Sequence, residues 1–493
     1  MPDDSLETRT SLAPFHPPTD TDRDIPSDIP HAAVIETKPD PLPAAVSTTP
    51  LPQLILVTLL TGVAGGIGGM GLALLLHFIQ HIAYGYSLHA VISDENFLAG
   101  VTAAPPWRRF LVLLGAGLIA GFGWWAMHRF GRPLVSIKKA VTEGAPPMPM
   151  GTTIAHALLQ IVTVALGSPL GREVAPREIG AVLAGWCCRR LGLTVEDTRL
   201  MVACGAGAGL AAVYNVPLSG AVFVLEVLLM TVRPRVVIVA LATSVIGTVI
   251  AWIGLGTDWQ YQFPHYPVST GLMVWACLMG PVAGVAGLFY SELTAWARSR
   301  APKNARIIVT TLAAFALVGL LTAWLPQLPG NGKGPIQLAL SGAEGPGSAV
   351  LMLAVKLVAV IACLLAGAEG GLLTPGLAIG SLLSVPLGEV WNAAFQTGIP
   401  LGAFVIVGAT AFLAVSMRMP VTAILLLMEF TRAGQDFLIP MIAATAGAMA
   451  VREGLARNPR GLMGRIGGCL FSRTMLNNAG MTQIKTLPQV KQL

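Results

Sequence analysis

Charged residues are scarce in this chain, and their scarcity excludes an ordinary soluble domain. Asp, Glu, Lys and Arg make up only 11% of the 493 residues, whereas 54% are hydrophobic and the mean hydropathy is +0.69. Soluble domains carry about 25% charged residues. The apolar runs are long and continuous, which excludes the alternating pattern of a membrane β-barrel. We therefore expect an all-α polytopic membrane protein.

Cysteine is also scarce, and its spacing indicates neither a disulfide framework nor a zinc site. Six are present: Cys187 and Cys188 are adjacent, while Cys204, Cys277 and Cys363 lie in apolar runs typical of small core residues. Catalytic sets are missing as well, because no Ser/His, paired Asp or His-Glu-x-x-His arrangement occurs at a usable spacing. The sequence thus predicts no metal, no cofactor and no enzymatic activity.

The two ends differ from the rest of the chain in composition. Residues 1–50 are polar and rich in Pro, Asp and Thr, which predicts a disordered tail. They lack the apolar region of a signal peptide. The net charge of +6 comes from basic residues scattered near segment ends, which is typical of cytoplasmic loops and gives no case for nucleic acid. We expect a transmembrane domain over 51–473, a tail over 474–493, and a multi-pass location in the inner (plasma) membrane.

The apolar segments become shorter along the chain. Two long spans are expected near 51–81 and 110–130, separated by a polar loop over 93–107. Later runs such as 154–166 and 201–213 are too short, since a span needs about 20 apolar residues. We expect several helices to tilt, re-enter or stop midway.

The segment Leu166–Ala181 concentrates charge within this apolar chain. Its charged residues are Arg172, Glu173, Arg177 and Glu178, and the helix-breaking residues around them are Gly167, Pro169, Gly171 and Pro176. Charges at membrane depth face a bundle interior or a water-filled path, and backbone breaks there line cavities. A helix start with free N–H groups binds anions. We interpret the segment as an anion-binding break in which Glu173 competes with the anion, the alternative being an exposed cytoplasmic loop. The arginines either raise the local potential or pair with Glu178.

Three motifs recur in the same order roughly two hundred residues apart, which indicates an internal duplication. Paired broken helices in two halves point to a transporter whose site lies between them. The repeats would cover about 51–255 and 256–473. The pairs are Pro217–Glu226 with Pro420–Glu429, Gly131–Pro133 with Gly330–Pro335, and the break at Glu173 with Gly370–Gly380.

These motifs resemble those of the CLC family of chloride channels and proton-coupled anion transporters. Gly171-Arg-Glu-Val-Ala-Pro176 is similar to the family's Gly-Lys/Arg-Glu-Gly-Pro motif, and Gly371-Leu-Leu-Thr-Pro375 to its Gly-x-Phe-x-Pro motif. Asn215–Gly220 and Ser416–Pro420 also look like family segments. The resemblance covers about residues 51–473 and is of the bacterial type without C-terminal regulatory domains.

The resemblance implies two repeats of broken helices and a homodimer with one anion pathway per subunit. It implies that Glu173 is the gate, that chloride or fluoride is carried, with or without protons, and that 218–229 and 421–430 meet across the dimer interface. For those two segments, packing within one subunit is the alternative. The anion-binding positions that it implies are Gly171, Arg172, Val174, Leu373, Thr374 and Phe471.

The departures from the family pattern concern selectivity. The family's Ser loop aligns with Gly131–Val135, so the anion-binding Ser is missing, and its Tyr falls at Phe471. Its internal proton glutamate falls at Val227. Loss of the Ser, with Thr374 before the motif Pro, is similar to the fluoride-exporting branch. We expect fluoride to be carried at least as well as chloride, unless a compensating donor exists, and we expect Phe471→Tyr to raise chloride affinity.

Several alternatives stay open at this stage. An unrelated secondary transporter of organic solutes would also have repeats and broken helices. The sequence does not separate a channel from an exchanger. His156 is expected to be a satisfied core histidine and Lys356 to snorkel or face the pathway, while Glu369 caps a turn or lines a vestibule. Glu226 and Glu429 are expected to cap, to pair or to face the solution.

Overall fold

The computed structural model describes residues 49–86, 97–142, 144 and 146–457. Nearly all of the expected N-terminal tail, Phe471 and the tail over 474–493 therefore lie outside the described residues. The described residues form seventeen α-helices: α1 (Leu51–Tyr84), α2 (Phe97–Ala103), α3 (Pro106–Phe130), α4 (Ile137–Ala140), α5 (Met150–Ala165), α6 (Val174–Arg190), α7 (Val195–Tyr214), α8 (Pro217–Phe223), α9 (Pro234–Leu255), α10 (Thr270–Arg300), α11 (Arg306–Leu321), α12 (Lys333–Leu340), α13 (Pro346–Leu365), α14 (Leu373–Phe395), α15 (Leu401–Met417), α16 (Pro420–Thr431) and α17 (Leu438–Arg457).

Helix length separates the spanning helices from the partial ones. Seven helical segments are long and apolar enough to cross a membrane: α1, α3, α9, α10, α13, α14 and the segment Gln435–Leu455. Helices such as α5 and α11 have only 16 residues. At 1.5 Å per residue they reach about 24 Å, less than the hydrocarbon thickness of about 30 Å. The prediction of full-length and broken helices is confirmed. The loop expected over 93–107 contains the helix α2.

Helix α7 lies at the centre of the bundle, because every residue from Leu200 to Tyr214 is buried. It packs closely on α6, where Gly180 and Gly205 face each other. A Cβ on either glycine would overlap the backbone of the other. Small residues at such contacts let membrane helices approach each other closely. This contact fixes the position of α6, and with it the residue that precedes α6, Glu173.

The internal duplication is visible in the backbone. Asn215 and Arg418 each lie two residues before the proline that begins a helix, and they have left-handed φ angles of 56° and 58°. Gly167 and Gly367, each just after a broken helix, have φ angles of 104° and 96°. Side chains with a Cβ rarely adopt such angles, which explains glycine at the second pair. The two-repeat organisation is confirmed.

The two breaks meet at a single antiparallel bridge. Gly171 N–H donates to the Gly371 carbonyl over 2.8 Å, and Gly371 N–H donates to the Gly171 carbonyl over the same distance. Equivalent loops of the two repeats therefore run in opposite directions, as repeats related by a two-fold axis require. The bridge places the starts of α6 and α14 next to each other.

Candidate functional site

The carboxylate of Glu173 occupies the start of the opposite repeat's helix. Glu173 precedes α6 and is completely buried. Its Oε1 accepts a hydrogen bond of 2.6 Å from the N–H of Leu373, the first residue of α14. Its Oε2 is buried, and no other described residue donates a hydrogen bond to it. Glu173 thus lies at the junction of the two repeats, with Oε1 hydrogen-bonded and Oε2 without a hydrogen-bond donor among the described residues.

The bridged glycines form the surface against which this carboxylate lies. A Cβ built on Gly171 or on Gly371 would overlap the Glu173 carboxylate. Both positions therefore need glycine for space, because any side chain would displace the acid. The predicted site residue Gly171 thus lies against Glu173, the predicted gate. Gly371, quoted in the second motif, has the same role in the other repeat.

Two helix starts provide the electrostatic attraction for a negative charge. The first N–H groups of a helix have no partner within the helix, and the aligned peptide dipoles place about half a positive charge there. Leu373 begins α14, which has 23 residues, and Val174 begins α6, which has 17. Both predicted residues lie at these starts, Leu373 buried and Val174 partly exposed. An anion held here needs no full positive charge beside it.

Two hydroxyl groups lie together beside the start of α14. The Oγ1 of Thr374 is 3.4 Å from the phenolic oxygen of Tyr214, and both side chains are buried. The Arg172 guanidinium stacks over the Tyr214 ring, with its Cζ 5.2 Å from the ring centroid. Sequence reasoning singled out Thr374 and Arg172 and missed Tyr214, which lies directly before the family-like segment Asn215–Gly220. Tyr214 is a candidate for the compensating donor that the sequence left open.

The arginines do not pair with Glu178. Arg177 Nε donates to the backbone carbonyl of Glu173 over 2.7 Å, and its guanidinium lies over the Phe223 ring. Arg177 therefore fixes the backbone of Glu173 from one helical turn away. The alternative interpretation of Leu166–Ala181 as an exposed cytoplasmic loop is also wrong, because all four charged side chains are buried.

Other predicted positions lie away from this junction. Arg132, aligned with the missing Ser, is exposed. Phe471 lies outside the described residues. Lys356 does not snorkel: it is fully buried, and its Nζ donates to the backbone carbonyls of Leu328 and Gly330. It therefore fixes the segment that leads into α12.

A second polar cluster joins α5, α6 and the connection between α13 and α14. His156 Nδ1 is 2.7 Å from Glu178 Oε2, and its Nε2 is 2.9 Å from Glu369 Oε2. Gln160 lies on the same face of α5, and its Nε2 is 2.8 Å from His156 Nδ1 and 3.3 Å from Glu178 Oε2. The expectation that His156 is a satisfied buried histidine is confirmed. Sequence reasoning did not identify its two carboxylate partners.

The chain is similar to known membrane transport proteins over most of its length. The sequence profile described as "Voltage gated chloride channel" matches residues 110–453. The chain is 28% identical over 431 residues to the H(+)/Cl(-) exchange transporter ClcA of Cronobacter sakazakii, covering 83% of this chain and 88% of that protein.

Two solved structures share the fold. A slow cyanobacterial Cl-/H+ antiporter superposes with a TM-score of 0.71 and 21% identity, covering 83% of this chain and 96% of that one. A CLC-type fluoride/proton antiporter superposes with a TM-score of 0.65 and 18% identity, covering 82% and 96%. At these identities the likeness shows the fold alone.

Proposed function

This chain belongs to the voltage-gated chloride channel family, and we propose that it carries small inorganic anions across a membrane through a pathway gated by Glu173. One observation carries the proposal: the Glu173 carboxylate is bound where an anion would bind, at the N–H of Leu373 between the bridged glycines. Family membership removes the alternative of an unrelated transporter of organic solutes. We propose a transporter without enzymatic activity.

The gate works by competition. An anion leaving water needs donors, and the free N–H groups at the starts of α6 and α14 supply them. The ionised carboxylate of Glu173 takes the same donors and excludes the anion. Protonation removes its charge, weakens its hold on the Leu373 N–H and lets an anion replace it. The same residue therefore links anion passage to the binding of a proton, which an exchanger requires.

We propose chloride as the principal anion. The first support is the 28%-identical relative, which is an H(+)/Cl(-) exchange transporter. The second is the pair of hydroxyl groups of Tyr214 and Thr374 beside the start of α14. These hydroxyls would replace the two donors that this chain lacks at Arg132 and Phe471. Arg172 would add positive potential from its position over the Tyr214 ring. Gly171 and Val174 would contribute backbone to the same site.

We also propose a membrane location and an oligomeric state. The seven apolar helices indicate a multi-pass membrane protein, and we place it in the inner (plasma) membrane as a homodimer in lipid, with the transport domain over 51–473. The exposed apolar side chains of Leu218 and Val421 suit either a second subunit or lipid.

The test is anion flux from liposomes containing purified protein with Glu173→Gln. Glutamine has the shape of the protonated acid but cannot ionise, so it mimics the open gate at every pH. Wild-type flux should rise as the pH falls, because protonation releases the gate. The variant should show high flux that does not change with pH, and no coupled proton movement.

The matched control is Glu389→Gln, which alters an exposed carboxylate near the C-terminal end of α14 and should behave as wild type. A Glu173→Gln protein that folds and keeps the wild-type pH dependence would contradict the assignment of the gate. A wild-type protein that passes no chloride or fluoride would contradict the proposed function.

A further inference from the structure

The polar cluster around His156 forms a continuous chain of titratable groups from the surface into the protein. The Glu369 side chain is 45% exposed, whereas the side chains of His156 and Glu178 are each 6% exposed. His156 lies between the two carboxylates, at 2.9 Å from one and 2.7 Å from the other. Each contact is a hydrogen bond of ordinary length. The chain therefore begins at solvent and ends on α6, the helix that Glu173 initiates.

The groups around this chain come from every element packed on it. His128 at the end of α3 lies 4.0 Å from Glu369, and Arg298 at the end of α10 donates to the Gly370 carbonyl. The Trp124 ring packs on the His156 ring with centroids 5.1 Å apart. Glu369 thus lies where the basic ends of α3 and α10 meet.

The usual place for an internal proton carrier is not available in this chain. Val227 occupies the position aligned with the family's internal proton glutamate, and it cannot ionise. Its neighbour Glu226 is engaged, because its two oxygens accept the backbone N–H groups of Val421 and Thr422. A coupled exchanger built on this sequence needs a different route for protons to Glu173.

We propose that Glu369, His156 and Glu178 form a proton relay that supplies Glu173, an inference that rests on the proposed anion transport. Glu369 takes a proton from the solution and passes it to Nε2 of His156. The Nδ1–H bond of the same ring breaks as an O–H bond forms on Glu178. Histidine suits this role because one ring nitrogen can accept a proton while the other releases one.

The relay ends on the helix of the gate. Glu178 follows Glu173 by five residues, which is about 7.5 Å along the axis of α6. Water entering with the anion completes this last transfer, in which the O–H bond on Glu178 breaks and one forms on the free Oε2 of Glu173. The neutral gate then leaves the Leu373 N–H.

The experiment measures chloride and proton movement together in liposomes, with ion-selective and pH electrodes. We expect Glu178→Gln and Glu369→Gln to keep substantial chloride flux but to lower the protons moved per chloride by about tenfold or more, since a positioned acid–base group contributes at least that much to proton transfer. Glu178→Asp, which keeps a carboxyl, should restore part of the ratio. Glu389→Gln should keep the wild-type ratio.

The outcomes separate this inference from the proposed function. If Glu178→Gln and Glu369→Gln both retain the wild-type ratio, the relay is wrong while anion transport stands. If the wild type carries chloride without protons, the relay is also wrong. If the wild type carries neither chloride nor fluoride, the proposed function fails, and the relay with it. Glu369→Gln alters a half-exposed side chain, so it remains a valid test even if the buried variant does not fold.

Discussion

At the scale of single residues, the site depends on which group faces the start of α14. Three polar side chains converge there: Glu173, Thr374 and Tyr214. Glu173 can leave when protonated, whereas the two hydroxyls remain and can donate to whatever replaces it. In the proposed mechanism, gating and anion binding are therefore carried out by different, neighbouring side chains.

Tyr214→Phe tests the compensating hydroxyl. A hydrogen bond to a charged ligand contributes about 1.5–3 kcal/mol, so its loss should weaken chloride binding by about tenfold to a hundredfold. Fluoride should then be carried at least as well as chloride. The measurement is calorimetric titration with each halide. Tyr261→Phe is the control, because that buried ring also packs on Phe430. Unchanged chloride binding by Tyr214→Phe would mean that its hydroxyl does not contact the anion.

Gly371→Ala tests the space at the junction. Its methyl group would overlap the Glu173 carboxylate and occupy the place of the anion. A methyl forced into a packed site costs about 1–3 kcal/mol, which corresponds to about tenfold or more in binding. Chloride binding and flux should fall accordingly.

Gly376→Ala is the matched control in the first turns of the same helix. A Cβ there would lie 3.6 Å from its nearest neighbours, an ordinary contact. Equal flux from both alanine variants would refute the requirement for glycine at Gly371.

At the scale of helices, α8 and α16 hold each other by reciprocal caps. Glu429 accepts the N–H groups of Leu218 and Ser219 over 2.9 and 2.7 Å, and Glu226 accepts those of Val421 and Thr422 over the same distances. Both helices begin with proline, which has no N–H to satisfy. The expectation of a capping role is confirmed, with each acid capping the other repeat's helix.

Glu226→Ala and Glu429→Ala should each lower the stability of the folded protein. Removing a helix cap typically costs about 0.5–2 kcal/mol, which predicts an apparent melting temperature lower by a few degrees. The measurement is thermal unfolding in detergent, with exposed Glu389→Ala as control. Similar losses are expected for the two variants because their contacts are equivalent. If neither variant melts earlier than the control, the caps do not stabilise the pair.

At the scale of the whole molecule, the two repeats form one transport unit around their paired breaks. The long helices expose large apolar side chains such as Ile253, 79% exposed, which lipid would cover. The short helices end inside, where the other repeat satisfies the freed backbone groups, as the bridge of Gly171 and Gly371 illustrates. The proposed anion site therefore requires contributions from both repeats.

The proposed homodimer predicts a mass in detergent of twice the 51.4 kDa chain after subtraction of bound detergent. The measurement is light scattering coupled to gel filtration, on protein whose anion flux has been verified. The exposed Leu218 and Val421 give the two capped helices an apolar surface suited to such a contact. A stable monomer with full flux would refute the dimer as the functional unit.

Local features of the sequence were enough to predict the membrane class, the broken helices, the duplication and the buried acid Glu173, which is the proposed gate. These follow from local properties: apolar run length, glycine and proline positions, and charge within an apolar segment. We could therefore predict the glycine motif, the acid at Glu173 and the common helical face of His156 and Gln160.

The contact partners of these residues depend on how the helices pack, which the sequence does not show. Glu173 and Leu373 are 200 residues apart, and His156 and Glu369 are 213 apart. Tyr214 reaches Thr374 from a different repeat. Such contacts arise from how helices cross, and α6 and α7 can approach this closely only because glycines face each other. The sequence identified Glu173, but packing decided which backbone N–H binds its carboxylate and which groups form the proposed proton relay.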